Sequence, residues 1–313
     1  MIRIFISILL TFIISSFGFA TELSELVAPG ATVHKLAGGM KFTEGPVWIP
    51  EKQSLVFSDI PNSKLMSWSS SKGLTVFRES ENANGNILDL HGNLISCQHS
   101  GRNIIRITPS GDEETIVDSY NGKRLNSPND VAAHLDGSFW FTDPPWGLWG
   151  SDQSPEVAGH WVYRVDGKTK QVKTVITDLS MPNGIIFSPD YRRIYVADTG
   201  GHPKHPVEAL RNAPDVIRCY NVTRAGKLGK LLFTIDEGSD GMAVDTLGNL
   251  YTTHAGKVGV FDKDGHKLGT IDCPEGPANV TFGGTDYKTL FITARTSLYA
   301  IEMQVRGVAT PRK

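Results

Sequence analysis

Past residue 20 the sequence has no apolar run of bilayer-spanning length, so the remainder of the chain is expected to be free of membrane helices. Basic clusters are also missing. With 31 Lys and Arg against 33 Asp and Glu the formal net charge is −2 at pH 7, which removes the electrostatic case for nucleic acid or an anionic membrane. Cysteine is scarce: Cys97, Cys219 and Cys273 leave at least one thiol unpaired and show no CxxC spacing for zinc or redox work. They read as small buried hydrophobes. The sequence contains no G-x-S-x-G elbow, H-E-x-x-H helix, P-loop or Rossmann glycine fingerprint. Helical periodicity is absent after the first 20 residues, apart from room for one turn at 207–211.

What is present is glycine, proline and short apolar runs. The 313 residues include 32 Gly, 17 Pro and 40% hydrophobic side chains, enough for one large all-β core. Residues 1–20 form a separate unit. Arg3 supplies a positive start, Ile4 to Ile14 an apolar stretch, and Gly18-Phe-Ala20 a small-x-small ending. That pattern predicts a cleaved secretory signal and an exported, periplasmic or secreted, protein, with 21–313 as the mature domain.

Within the mature chain one phrase returns. A polar residue opens it, an apolar run follows, a turn intervenes, and a second apolar run ends on a polar residue. Glu44-Gly-Pro-Val-Trp leads to Leu55-Val-Phe-Ser-Asp59, and Asn129-Asp-Val-Ala to Phe139-Trp-Phe-Thr-Asp143. Asn183-Gly-Ile-Ile-Phe leads to Ile194-Tyr-Val-Ala-Asp198, and Asp240-Gly-Met-Ala-Val to Leu250-Tyr-Thr-Thr-His254. Weaker copies open at Asn86, closing near His99, and at Asn279, closing near Arg295. The openings lie 42, 43, 54, 57 and 39 residues apart, near the period of a four-stranded propeller blade. The spacing predicts a six-bladed β-propeller with a narrow axial channel. Whether residues 31–40 supply a closing strand is left open. Two longer intervals carry inserts, 144–160 with Trp146 and Trp149, and 200–214 with His202 and His205, expected as a rim over the channel mouth. Trp146 and Trp149 in the first insert, and Trp161 just after it, offer flat apolar faces at this rim.

In radial repeats, equivalent positions meet at the axis. The six openings comprise two carboxylates and four carboxamides, with no Lys or Arg among them. Buried carboxylates need a partner or a metal. Asn-Gly or Asp-Gly alone is ordinary turn chemistry, but its recurrence in a polar ring favours a hard cation with oxygen ligands. Ca²⁺ is preferred; Mg²⁺ and Mn²⁺ are compatible, and Zn²⁺ is less favoured without a thiolate or His cluster. Among the closing residues, Asp59 and Asp198 read as turn anchors, while Asp143 and His254 are candidates to meet substrate.

These motifs resemble the SMP-30/gluconolactonase/luciferin-regenerating-enzyme family. The resemblance runs from Glu44 to Met303 through Glu44-Gly-Pro-Val-Trp, Asn126-Ser-Pro-Asn-Asp-Val131, Trp140-Phe-Thr-Asp-Pro144, Met181-Pro-Asn-Gly184 and Ser239-Asp-Gly-Met-Ala-Val244. It implies one divalent cation held by Glu44, Asn183 and Asp240, with Asn129 touching water or substrate and Asp240 acting as acid and base. It also implies hydrolysis of a sugar lactone of the gluconolactone type. Another lactone, a phosphotriester, or a non-catalytic metal-stabilised propeller are the alternatives. Some members place a substrate-binding arginine two residues before the channel asparagine. Here Leu-Asn-Ser-Pro stand between Arg124 and Asn129, so Arg124 enters as a candidate out of register.

Overall fold

The computed structural model describes residues 22–201, 203 and 207–310. The expected signal segment 1–20 and the insert histidines His202 and His205 lie outside them. Six four-stranded antiparallel sheets surround one axis. The blades span 43–79, 83–117, 131–176, 182–235, 242–272 and 277–302. A short ribbon, Ser119–Tyr120 with Lys123–Arg124, precedes the third blade. In each blade the first strand is innermost and the chain steps outward. The sixth has only three strands of its own. Its outer edge is completed by His34–Gly38, which pairs antiparallel with Ser297–Glu302. Residues near the two ends of the chain therefore close the ring, and the open question about residues 31–40 is answered.

The inner strands are buried on both faces, which is why their apolar residues run together instead of alternating with polar ones. Outermost strands such as Gly73–Glu79 and Leu228–Ile235 are mostly half-buried or exposed. Leu55 and Phe57 pack toward the sixth blade, whereas Val56 between them packs toward the second. Phe139 and Phe141 face the second blade and Trp140 the fourth. Each blade interface thus owns one cluster of buried side chains, with Leu26 and Met303 joining the one between blades five and six. Cys97 and Cys219 are buried within such clusters and Cys273 is half-buried; all three are free thiols. Helix is minimal: one turn at Leu23–Leu26 and isolated 3-10 turns, including Glu208–Leu210 in the second insert. No described helix is long and apolar enough to cross a membrane.

Trp140 is fully buried at the interface of blades three and four. Trp140→Ala is expected to cost about 3–5 kcal/mol of stability, read as a lower denaturant midpoint in a chemical unfolding curve.

Candidate metal centre and channel cavity

The inner strands enter the channel in a common register. Thr43 pairs with Asp59, Ala83 with Gln98, Pro182 with Asp198 and Pro277 with Ala294. The residue after each entry position forms the ring: Glu44, Asn84, Asn183 and Ala278. Asn129 and Asp240 complete it, their backbone N–H groups donating to Thr142 O and Thr253 O of the neighbouring strands. Two openings read from sequence are therefore displaced. Asn84, not Asn86, stands in the second blade, and Ala278, not Asn279, in the sixth. The ring is not wholly polar. The displacement arises from register irregularities just past the ring, between Ala83 and Asn86 and between Pro277 and Asn279. A bulge changes facing without changing composition.

Four ring residues or their neighbours are followed by glycine for a steric reason. A Cβ on Gly45 would lie 2.0 Å from Asn84 O, and one on Gly184 would lie 2.1 Å from Asp240 O. On Gly241 it would fall 1.9 Å from the Asn279 side chain. The polar-Gly dipeptides are thus points of blade-to-blade contact, not hairpin turns. Through that contact Gly85 N donates to Asn129 O (2.7 Å), Gly184 N to Asp240 O (2.9 Å) and Gly241 N to Ala278 O (2.7 Å). Hydroxyls tie the same layer. Ser58 Oγ donates to Asn84 O (2.6 Å), Thr142 Oγ1 to Asn183 O (2.7 Å) and Thr253 Oγ1 to Ala278 O (2.8 Å).

Behind the ring, the closing aspartates hold the loops that deliver it. Asp59 accepts from Lys41 N and Phe42 N at 3.0 and 3.2 Å. Asp198 accepts from Ser180 N and Met181 N, the latter at 2.7 Å. Asp143 does the same for Asn126 N at 2.8 Å. Fully buried, with burial pushing its carboxyl up to about 7, Asp143 sits behind the loop and away from the cavity. Arg124 also lies off the cavity: exposed on the ribbon, it donates through Nη2 to Gly101 O at 3.3 Å, while its backbone N–H donates to Glu156. His254 does reach the cavity, with Nδ1 3.6 Å from Asp215 Oδ2. Of the tryptophans, Trp146 lines it, Trp149 is exposed, and Trp161 packs against Tyr120 and Tyr163.

The structure brings Glu44, Asn183 and Asp240 together. Asp240 hydrogen-bonds with both Asn183 and Glu44, and Glu44 Oε2 accepts from Asn279 Nδ2 (2.8 Å) and Gly45 N (2.6 Å). Asn129 occupies the same ring on the third blade and is buried. Asn183 and Asp240 also line a cavity of about 440 Å³ at the mouth where the inner strands begin, a volume suited to a small ligand. Sequence reading missed Asp130, which stands where other blades have the glycine. Its carboxylate fills the space beside Gly85 and accepts from Val131 N (2.9 Å) and Ile185 N (3.3 Å). The broken polar-Gly pattern at Asn129-Asp130 was its signal.

Electrostatics make this layer costly. Burial, reinforced by the charge of Asp240, raises the Glu44 carboxyl well above its usual range. Burial likewise lifts Asp240 to about 6, against hydrogen bonds from Asn183 and Glu44 that lower it. Asp130 rises to about 7, again chiefly through burial. No Lys, Arg or His forms a salt bridge with any of the three among the described residues. A group of three His, Cys, Asp or Glu able to hold a metal does not occur among them either. The donors are instead two carboxylates with carboxamides, and Asn86 Oδ1, hard by Gly45, is buried without a hydrogen-bond partner. Such an all-oxygen set fits a hard cation and not a thiolate or imidazole metal.

The family model for the SMP-30/Gluconolactonase/LRE-like region matches residues 42–296. A gluconolactonase of Zymomonas mobilis is 29% identical over 92% of this chain and 86% of its own. A pentonolactonase of Haloferax volcanii is 28% identical over 80% of each. The solved structure of a gluconolactonase from Xanthomonas campestris superposes with a TM-score of 0.80 at 31% identity, over 90% of this chain and 93% of that one.

The raised carboxyls set a pH dependence in the metal-free protein. Between the unfolded carboxylate pKa, about 4, and the folded values of about 6 and 7 for Asp240 and Asp130, the folded state binds more protons than the unfolded one. Stability contributed by these groups is then present at low pH and lost as pH rises through the folded values. Melting in EDTA should fall from pH 5 to pH 8, and added Ca²⁺ should raise Tm more at pH 8 than at pH 5. A thermal melt at both values, with and without Ca²⁺, checks the sign.

Proposed function

We propose that this chain, which belongs to the SMP-30/gluconolactonase/LRE-like family, is an exported, divalent-cation-dependent hydrolase that opens a sugar lactone of the gluconolactone type to the aldonic acid. The observation that carries this reading is the convergence of Glu44, Asn183 and Asp240 where the channel meets the cavity. Relatives named for gluconolactone and pentonolactone hydrolysis support the substrate class. The oxygen-only donor set supports Ca²⁺ over Zn²⁺, with Mg²⁺ and Mn²⁺ as the nearer competitors. The signal-like residues 1–20 support export.

Glu44, Asn183 and Asp240 would hold the cation, which when bound supplies Lewis acidity to the lactone carbonyl. The chain's own residues do the rest. Asn129 and Asn183 donate or accept hydrogen bonds that orient water and the lactone against the ring. Asp240, half-buried and with its carboxyl raised to about 6, is tuned to exchange a proton near neutral pH. It takes one from the attacking water as the new C–O bond forms. It returns that proton to the ring oxygen as the lactone C–O bond breaks. Trp146, on the cavity wall, offers an apolar face to the sugar ring.

Hydrolysis of gluconolactone, measured with EDTA and then with Ca²⁺, Mg²⁺, Mn²⁺ and Zn²⁺ added back singly, tests the reading. Activity should vanish in EDTA and return best with Ca²⁺; a chelator-insensitive rate, or none with any lactone, would overturn it. Asp240→Asn should lower kcat by ~10²–10⁴-fold while retaining more cation affinity than Asp240→Ala. Equal loss of kcat and affinity in Asp240→Asn would leave Asp240 as a ligand only.

A further inference from the structure

Arg124 does not face the cavity, but another arginine does. Arg295 sits in the two-residue turn between Thr289–Ala294 and Ser297–Glu302 of the sixth blade. It lines the cavity together with Asp240 and Asn183. Its backbone is in the left-handed region, φ +44°, where Gly or Asn is the relaxed choice. In the fifth blade the corresponding turn is Ala255-Gly256, with Ala255 itself at φ +49°. Ser63 and Arg102 hold the same conformation in the turns between the corresponding strands of blades one and two, at φ +53° and +55°, so this turn position accepts varied side chains.

The guanidinium forms no salt bridge among the described residues, although its charge reaches Asp240 and lowers that carboxyl. The guanidinium lies 5.8 Å from the Phe42 ring centroid, and Phe42 also lines the cavity. The nearby acid, Glu275, is engaged by Thr296 N and Oγ1 (2.9 Å each), Ser297 Oγ (2.5 Å), Tyr299 Oη (2.9 Å) and Lys35 Nζ (3.5 Å). The opposite wall, from blades four and five, carries Asp215 and His254. The cavity is therefore polarised, with a guanidinium fork that makes no salt bridge among the described residues on the side of blades one and six. Such a fork matches a planar or tetrahedral oxyanion bidentately.

We propose that Arg295 is a specificity-determining residue that binds an acidic group on the substrate. The lactone taken by this cavity then carries a carboxylate or phosphate that this guanidinium can reach. This inference rests on the lactone-hydrolase reading above and narrows its substrate class.

The test compares neutral gluconolactone with an aldaric acid monolactone and a 6-phospho-gluconolactone, using the Ca²⁺-loaded wild type, Arg295→Asn and Arg295→Lys. Asn suits the left-handed backbone, so the variant is expected to fold with an undiminished Tm. In Arg295→Asn the KM for the acidic lactones should rise ~10–100-fold relative to that for the neutral one, with Arg295→Lys intermediate. The carboxylate and phosphate arms distinguish which acid is read. A parallel loss of kcat on neutral and acidic lactones, or no change on either, would overturn the proposal. A readout independent of turnover is calorimetric binding of the corresponding aldaric acid, present in the wild type and lost in Arg295→Asn. If no lactone is hydrolysed but that binding pattern holds, the hydrolase reading fails while the anion site stands; if binding survives the substitution, the anion site fails.

Discussion

Close approach of neighbouring blades at the axis is the constraint from which the rest of this molecule follows. Inner strands can hydrogen-bond across blade boundaries only where the residue after the ring lacks a side chain. Gly85, Gly184 and Gly241 supply that absence and donate to the ring carbonyls of the next blade. Backbone held this tightly leaves the ring side chains one direction to take, inward. Because carbonyls in this layer are already bonded to glycine N–H groups and to Ser58, Thr142 and Thr253, the channel presents side-chain oxygens to a ligand.

That rigidity concentrates negative charge where no Lys, Arg or His forms a salt bridge among the described residues, although the charge of Arg295 reaches Asp240 and lowers its carboxyl. Glu44, Asp240 and Asp130 are each pushed toward the neutral form by burial, and the charge of Asp240 adds to it at Glu44 and Asp130. A packed core would not retain three such groups for stability alone, since replacing them with apolar residues removes the desolvation cost. A cation held there would reverse the sign of the balance, leaving the layer destabilising without one and stabilising with it. The same tuning leaves Asp240 with a proton affinity near that of neutral solution, the condition under which a carboxyl both accepts and returns a proton.

Much of this was legible in the linear pattern, and the exceptions share a cause. Blade number followed from the repeat spacing, and the meeting of the six openings from their equivalent places, while the choice of Glu44, Asn183 and Asp240 among them followed from the family resemblance. Asn86 and Asn279 were misplaced as ring members because a bulge past the ring shifts facing by one or two residues, and nothing in composition marks a bulge. Asp143 looked available for substrate because it closes a phrase as His254 does. In space it bonds to the Asn126 loop, as Asp59 and Asp198 bond to theirs, whereas His254 ends its strand facing the cavity.

The sequence by itself determined which residues share a structural role, since repetition along the chain becomes rotation about an axis. It determined too that carboxylates and carboxamides would gather toward this axis. Only the tertiary structure decided which side chains meet between non-equivalent places. Arg295 faces Phe42 across 253 positions of chain, and His34–Gly38 completes a sheet begun at Pro277. Those contacts depend on ring closure, blade stagger and turn geometry, which are properties of the assembled circle and leave no periodic mark on the chain.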